Sequence, residues 1–348
     1  MRLTHAHPLW RIALLAFAMS MVAPAAAKET LRVLTWPGYA DSDFVAAFEK
    51  ANGVTVEVTF INSDDVLWEK MNAREAADFD VFAANTSEMT RYIDRGLSQP
   101  LDVANIPNTA HQLPRFRDLQ AIPGISRNGR VYAIPYTYSE MGLIYDRKQF
   151  RKPPDSMDAM WDPRFKGKVL AYNGSTHNFS IAALLLGSRT PFRISDAEFK
   201  RAVDRLIALR RNVLTFYSSP EESIELFREN SVALMFANYG TQQVEQLRKA
   251  GADIGYVIPR EGALAWLDCW GITRGARNKR LAERWINYML EKDVSAALVK
   301  RQGLANTVEP SPYTDNSNRL IWLEPVENYK LRATLWDRII SGDTPTKF

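Results

Sequence analysis

Short apolar runs alternate along this chain with segments whose apolar positions recur every three or four residues. Residues 31–35 form a strand-like run that ends in Trp36-Pro37-Gly38-Tyr39, where Pro-Gly marks a turn. Phe44, Val45, Ala47 and Phe48 recur at helical spacing over residues 42–50, with Ser42 as the expected N-cap and Gly53 as the stop. Val54, Val56, Val58 and Phe60 alternate with mostly polar residues and predict a second strand. Ser63 caps a predicted helix over residues 63–74, and residues 80–84 predict a third strand running into Asn85-Thr86-Ser87. The order β-α-β-α-β predicts a parallel sheet with helical crossovers. In such sheets ligands sit beyond the carboxyl ends of the strands, where Trp36, Tyr39, Asn85 and Thr86 fall.

After a less regular region, residues 131–138 and 141–145 read as strands, and Pro135 marks a crossover between lobes. A second α/β region opens with a strand over 169–172, the turn Asn173-Gly174-Ser175-Thr176 and an apolar helix over 179–186. Ser219-Pro220-Glu221-Glu222 carries a capping box with proline at the first helical position. A buried strand over 232–236 opens on Asn238-Tyr239-Gly240, a helix over 241–250 stops at Gly251, and 254–258 is another strand. Asn278 caps a helix over 279–290, and the remainder through Trp322 and Trp336 reads as mostly helical.

The N-terminus follows a different rule. Arg2 and Arg11 form a basic n-region, residues 12–22 are apolar, and Ala25-Ala26-Ala27 fits a small-residue cleavage site before Lys28. This is the pattern of a secretory signal peptide over residues 1–27. The apolar run is shorter than the ~20 residues of a membrane span, so an exported, periplasmic chain is expected. Without this leader the net charge falls from +4 to +2, because it carries Arg2 and Arg11 and no acid. No long Lys/Arg run exists to track phosphates, which argues against nucleic acid as a partner. The lone cysteine, Cys269, excludes an intramolecular disulfide and is expected in the core. The length suits about two domains of ~150 residues each.

Reactive chemistry is sparse. Beyond the leader there are two histidines, His111 and His177, and no H-E-x-x-H, Cys-x-x-Cys or G-x-S-x-G pattern. Asp64-Asp65 opens a helix, where two acids serve the helix dipole. No catalytic residue, metal or cofactor is therefore expected. The stretch Gly262-Ala263-Leu264-Ala265-Trp266-Leu267-Asp268-Cys269-Trp270-Gly271 is the richest in binding chemistry. If it is extended, Trp266, Asp268 and Trp270 share a face. A carboxylate between indoles suits an organic ammonium ion, since ring faces add cation–π attraction of roughly 0.5–2 kcal/mol once water is excluded. An ordinary half-buried strand is the plainer alternative.

Several motifs together carry a resemblance across the mature chain. They are the strand before Trp36-x-x-Tyr39, Asp80-Val81, Ala133-Ile134-Pro135-Tyr136, Trp161-Asp162-Pro163-x-Phe165-Lys166-Gly167, and residues 262–268. The chain resembles the periplasmic spermidine/putrescine-binding proteins of ABC importers. The resemblance implies an α/β fold of two lobes, the type II periplasmic-binding-protein architecture, each lobe a sheet flanked by helices with the ligand in the cleft between them. The expected lobes are 28–136 plus 267–304, and 137–266 plus 305–348. It also implies a monomer that hands its ligand to an ABC permease of the inner membrane. Trp36 and Tyr39 match the family's aromatic wall, Asn85 a small polar contact, and Trp266 and Asp268 the tryptophan and acid that hold an amine end.

The departures from the family are specific. Gly174 and His177 stand where polyamine binders carry acids, Ala237 replaces a tryptophan, and Gly38 replaces the acid of a Trp-x-Glu-Tyr opening. One carboxylate, Asp268, is thus expected in place of several. A buried dication with one counter-charge leaves an amine unpaired, at a cost of several kcal/mol. A monoamine, a zwitterion or another small cationic ligand is therefore expected over spermidine, with His177 and Asn178 as hydrogen-bonding partners. The expected ligand-binding set is Trp36, Tyr39, Asn85, Thr86, His177, Asn238, Trp266 and Asp268. Two readings from other classes stay open: a secreted hydrolase using His177 with Ser175 or Ser180, and a ligand-loaded sensor that docks on a signalling receptor.

Overall fold

The computed structural model describes residues 28–310 and 319–348. The expected signal peptide, 1–27, lies outside the described residues. The first elements are β1 (Thr30–Thr35), α1 (Ser42–Asn52), β2 (Thr55–Phe60), α2 (Asp64–Ala73), β3 (Val81–Asn85) and α3 (Thr86–Asp94). β1 pairs in parallel with β2 and β3, with Val33 opposite both Val58 and Val81. Local chemistry sets the helix starts. The Ser63 hydroxyl accepts the Val66 N–H at 3.1 Å, and Asn85 Oδ1 accepts the Glu88 N–H at 3.0 Å. At α1 the expected cap shifts by one residue: Asp41 holds the N-cap position, and its carboxylate pairs with Arg301 at 3.0 Å instead of capping. The Trp36–Tyr39 turn closes with the Tyr39 N–H on the Trp36 carbonyl at 3.3 Å. Gly38 sits there at φ +88°, a conformation that side chains with a Cβ resist.

The region read as irregular contains β4 (Ser98–Gln99), α4 (Pro114–Arg117), and the small hairpin β5 (Ser126–Arg127) and β6 (Arg130–Val131). Next come β7 (Ala133–Met141), β8 (Leu143–Asp146), β9 (Val169–Tyr172), α5 (Ser175–Leu185), α6 (Asp196–Asn212), β10 (Val213–Tyr217) and α7 (Pro220–Glu229). They are followed by β11 (Leu234–Phe236), α8 (Thr241–Lys249) and β12 (Ile254–Val257). α6 and β10 were not among the predicted elements, although Ser195 and Glu198 form a complete capping box at the start of α6. α5 begins earlier than predicted, so Ser175, Thr176 and His177 lie on its first turn and not in a loop. That turn is held from outside by the fully buried Arg332. Its guanidinium donates to the Thr176 carbonyl at 3.0 Å and to the Ser180 hydroxyl at 2.8 Å, and it pairs with Glu327.

The last elements are β13 (Ala263–Thr273), α9 (Lys279–Met289), α10 (Lys292–Gln302), β14 (Ala305–Asn306), β15 (Leu320–Trp322) and α11 (Tyr329–Ile340). Trp322 thus ends a strand where a helix was predicted, while Trp336 is helical as expected. Among the described residues, eight strands form one sheet, ordered β14-β7-β13-β3-β1-β2 with β4 and β15 also on β13. Five form a second sheet, ordered β10-β9-β11-β8-β12. β13 is buried along its whole length. With both faces covered, it reads as a nearly continuous apolar run, and Cys269 lies fully in the core.

β7 and β13 run antiparallel side by side and carry different neighbours at their two ends. Asp268 to Ile272 pairs with β3, whereas Ala263 to Ala265 pairs with β15 and Thr137-Tyr138 pairs with β14. Between these sections the register jumps. Asp268 faces Thr137 and Cys269 faces Pro135, which leaves Tyr136 as an extra residue in β7. Pro135 cannot donate to a ladder, so the bulge forms where the expected lobe boundary falls.

The start of the first sheet is tied by Asp80. Its carboxylate accepts the Arg32 N–H at 2.8 Å, the Arg32 Nε and Nη2 at 3.0 and 2.7 Å, and the Arg277 N–H at 2.8 Å. Asp80→Ala strands a buried guanidinium and is expected to cost about 3–5 kcal/mol. The check is urea unfolding, read as a lower midpoint at unchanged slope. A loss under ~1 kcal/mol contradicts the tie.

Candidate functional site

A cavity lies between the two sheets. From the first-sheet side it is lined by Trp36 and Tyr39 after β1, Asp64 at the start of α2, Asn85 at the end of β3, and Trp266 and Asp268 of β13. From the other side come Tyr172 at the end of β9, His177 on α5, Asn238 and Tyr239 after β11, and Gln242 on α8. Most of these positions are the carboxyl ends of strands or the turns beyond them.

Asp268 is the most constrained of them. It is 6% exposed and sits in the strand register directly opposite Asn85. The Tyr39 hydroxyl donates to Asp268 Oδ2 at 2.7 Å. Tyr39 is itself wedged edge-on against Tyr136 and Trp270, at centroid distances of 5.4 and 6.5 Å. Among the described residues no lysine or arginine pairs with Asp268. Burial pushes its pKa up to about 7; the Tyr39 hydrogen bond opposes the rise and the nearby Asp64 charge adds to it.

Trp266 shares the Asp268 face and lines the cavity, with its Nε1–H donated to the Asn238 carbonyl at 3.2 Å. Trp270 does not line the cavity. It lies one pleat deeper, fully buried between Tyr136 and Trp285, so the carboxylate is flanked in the cleft by Trp266 and by Trp36 from β1. Asn238 links both walls: its carbonyl takes Trp266, and its Oδ1 meets His177 Nδ1 at 2.8 Å. His177 stacks on Tyr172 at 5.9 Å, and burial lowers its pKa to about 4 against the Asn238 hydrogen bond. The ring is therefore neutral near pH 7, and its buried Nε2 has no hydrogen-bond partner among the described residues.

Of the eight expected site residues the structure brings seven to one cavity. Thr86 is the exception. It opens α3, and its carbonyl accepts the Thr90 hydroxyl at 3.2 Å, so its role is local to the helix start. Asn85 does two tasks: it caps α3, and its Nδ2 donates to Asp64 Oδ1 at 3.1 Å. Asn178, expected as a ligand partner, is occupied by the Tyr172 and Gly174 carbonyls at 2.7 and 2.8 Å. Gly174 is held to glycine by Tyr172, whose ring lies 2.4 Å from where a Cβ would stand. Among the described residues no serine hydroxyl hydrogen-bonds either ring nitrogen of His177, so no described serine makes the nucleophile–base contact of a hydrolase with it.

Sequence reasoning missed Asp64, Tyr172, Tyr239 and Gln242. Position alone was a usable signal for Tyr172 and Tyr239, which end or follow strands. Asp64 is the important omission. It was read as a dipole partner, but Asn85 turns its carboxylate to the cavity, so two acids and not one line the cleft. Burial and the Asp65 charge raise its pKa, opposed by Asn85 and Arg91.

These carboxyls give the ligand-free protein a definite pH response. An unfolded aspartate loses its proton near its ordinary value of 3.8, whereas folded Asp268 holds it to about 7. Between those values the native state binds more protons, so Asp268 lowers stability as pH rises. Asp268→Asn, which mimics the protonated acid, is expected to raise the ligand-free Tm at pH 7.5 and to leave it near wild type at pH 5. Parallel shifts at both pH values in scanning calorimetry count against the raised pKa.

Over residues 43–319 the chain matches the family described as bacterial extracellular solute-binding protein. It is 26% identical over 278 residues to the spermidine/putrescine-binding periplasmic protein 1 of Haemophilus influenzae, covering 79% of this chain and 74% of that one. It is 28% identical over 302 residues to the putrescine-binding periplasmic protein PotF of Escherichia coli, covering 83% and 80%. Among solved structures, a putative spermidine/putrescine ABC transporter from Listeria monocytogenes superposes with a TM-score of 0.79 at 23% identity, covering 90% of this chain and 98% of that one. The fold is accordingly the two-lobed α/β architecture expected from the sequence.

Proposed function

The chain belongs to the bacterial extracellular solute-binding protein family, and on that premise we propose that it captures a small amine-bearing ligand in the cleft and presents it to an ABC permease of the inner membrane. The observation that carries this reading is the buried Asp268 carboxylate, held by one tyrosine hydroxyl and lacking a cationic partner among the described residues. A protonated amine supplies the missing charge. Trp36 and Trp266 supply apolar area and ring faces around it. The names of the Haemophilus influenzae and Escherichia coli relatives, which refer to spermidine and putrescine, support an amine as the ligand class. The leader pattern and the periplasmic relatives support an exported, periplasmic protein; that it acts as a monomer is part of this proposal.

In this reading the lobes are 28–136 plus 267–304 and 137–266 plus 305–348, turning about β7 and β13. Closure has its own contacts. The Tyr239 and Tyr172 hydroxyls reach the Asn62 carbonyl at 2.8 and 3.3 Å, joining the second sheet to the loop before α2. A ligand that contacts both walls shifts an open–closed equilibrium toward the closed form that a permease reads.

The test is calorimetric titration of the mature protein with amines. Asp268→Asn is expected to weaken binding at least 100-fold, in line with the about 3–5 kcal/mol cost of unpairing a buried charge. Equal affinity in variant and wild type would falsify the assignment. Because the cation must displace a proton from Asp268, affinity is also expected to fall as pH drops below about 7, by roughly tenfold per unit for one linked proton. A flat profile between pH 5.5 and 8 contradicts an ionised Asp268 in the complex.

A further inference from the structure

The last helix reaches across the seam between the two sheets. α11 packs on α5 and α6, beside the second sheet. Its first residue, Tyr329, meets α3, which follows β3 of the first sheet. The Tyr329 hydroxyl lies 3.1 Å from the Ser87 hydroxyl. The Arg91 guanidinium of α3 lies over the Tyr329 ring, 4.5 Å from its centroid, and over the Trp68 ring of α2 at 3.3 Å. Trp68 stacks in turn on the buried Tyr92 at 5.9 Å. Glu88, one helical turn before Arg91, holds the guanidinium at 3.4 Å. A guanidinium is planar and weakly hydrated, so it stacks on rings without losing its charge. Here it touches rings from both sides of the seam. Ser87, Arg91, Trp68 and Tyr329 all lie outside the lining of the cleft.

The same helix face has a second grip. Tyr329, Arg332 and Trp336 recur at i, i+3 and i+7 and so share one side of α11. Arg332 donates to the Thr176 carbonyl on the first turn of α5, and Trp336 Nε1 donates to Asn173 Oδ1 in the turn before it, at 2.8 Å. That turn of α5 carries His177 into the cleft. We infer that α11 is a strap and that Tyr329, Arg91 and Trp68 form its clasp, which favours closure of the lobes from outside the cleft and so sets how long a ligand is held without touching it. The inference rests on the turning of the lobes proposed above and not on the chemistry of the ligand. Removing the ring or the guanidinium is expected to shift the open–closed equilibrium roughly 2- to 30-fold toward the open form, the range of a cation–π pair between exposed and desolvated settings.

The test is small-angle X-ray scattering of the mature protein without added ligand. Tyr329→Leu and Arg91→Met keep apolar bulk and remove the ring or the charge. Each is expected to raise the radius of gyration by about 1 Å on the roughly 20 Å of a compact chain of this length. The double variant is expected to open no further than the wider single, because both changes break one contact. A radius unchanged in both single variants overturns the clasp, as does a double variant that opens by the sum of the two. If Tyr329→Leu does not fold, Arg91→Met decides, since that side chain is partly exposed. A control keeps the two levels apart: Tyr172→Phe combined with Tyr239→Phe releases the Asn62 carbonyl, a closure contact that α11 does not make. Opening in the control without opening in the clasp variants counts against the clasp alone. No opening in either set counts against the turning of the lobes as well.

Discussion

The site depends on one hydrogen bond between a tyrosine and an acid that has no counter-ion among the described residues. Asp268 lies on the central strand of the larger sheet, with neighbours on both sides, so the backbone offers it no freedom to reach solvent. Tyr39 gives it a donor but not a charge. A buried carboxylate in this state is costly to ionise, and the fold tolerates it because the proton can stay on. Under the proposed function, what makes the residue expensive for the empty protein is what makes it selective for a positive guest. The surrounding aromatic packing serves that end. Tyr136 and Trp270 fix the Tyr39 ring, and Asn238 fixes Trp266, so the apolar walls and the acid are arranged before anything binds.

Much of this was readable from the residues. The alternation around Asp268 placed Trp266 beside it, and the rule that open α/β sheets bind beyond their strand ends pointed to Trp36, Tyr39 and Asn85. What failed did so for identifiable reasons. Trp270 has the same strand parity as Asp268, but periodicity gives the face and not the depth, and one pleat further along that face is already core. Thr86 follows a strand end but belongs to the helix that starts there. Asn178 and His177 are neighbours on α5; the helical turn sends one to backbone carbonyls and the other to the cleft. Asp64 was legible as a helix-start acid, which it is. Only the tertiary placement of Asn85, 21 residues away, turns it into a wall of the cavity. α6 and β10 escaped notice although the Ser195–Glu198 box was available as a signal.

The second carboxylate changes how the departures from the family should be understood. Gly174 cannot carry an acid while Tyr172 occupies the adjoining space, and Gly38 is committed to a left-handed turn. Both losses follow from backbone and packing. A second carboxylate enters instead from the start of α2, on the first-sheet wall. The inventory of groups in the cleft is thus set by which positions the chain leaves open, and the same overall charge logic can be met from different elements.

The extra residue at Tyr136 has a mechanical consequence. Because side chains alternate along a strand, slipping β13 by one position against its neighbours would put the Cys269 thiol into the cleft and the acid into the apolar interior. The irregular step opposite Asp268 and Cys269 prevents this, since a bulge fits its partner strand in only one alignment. An alignment fixed in this way holds Asp268 level with Asn85 on the neighbouring strand and within reach of the Tyr39 hydroxyl.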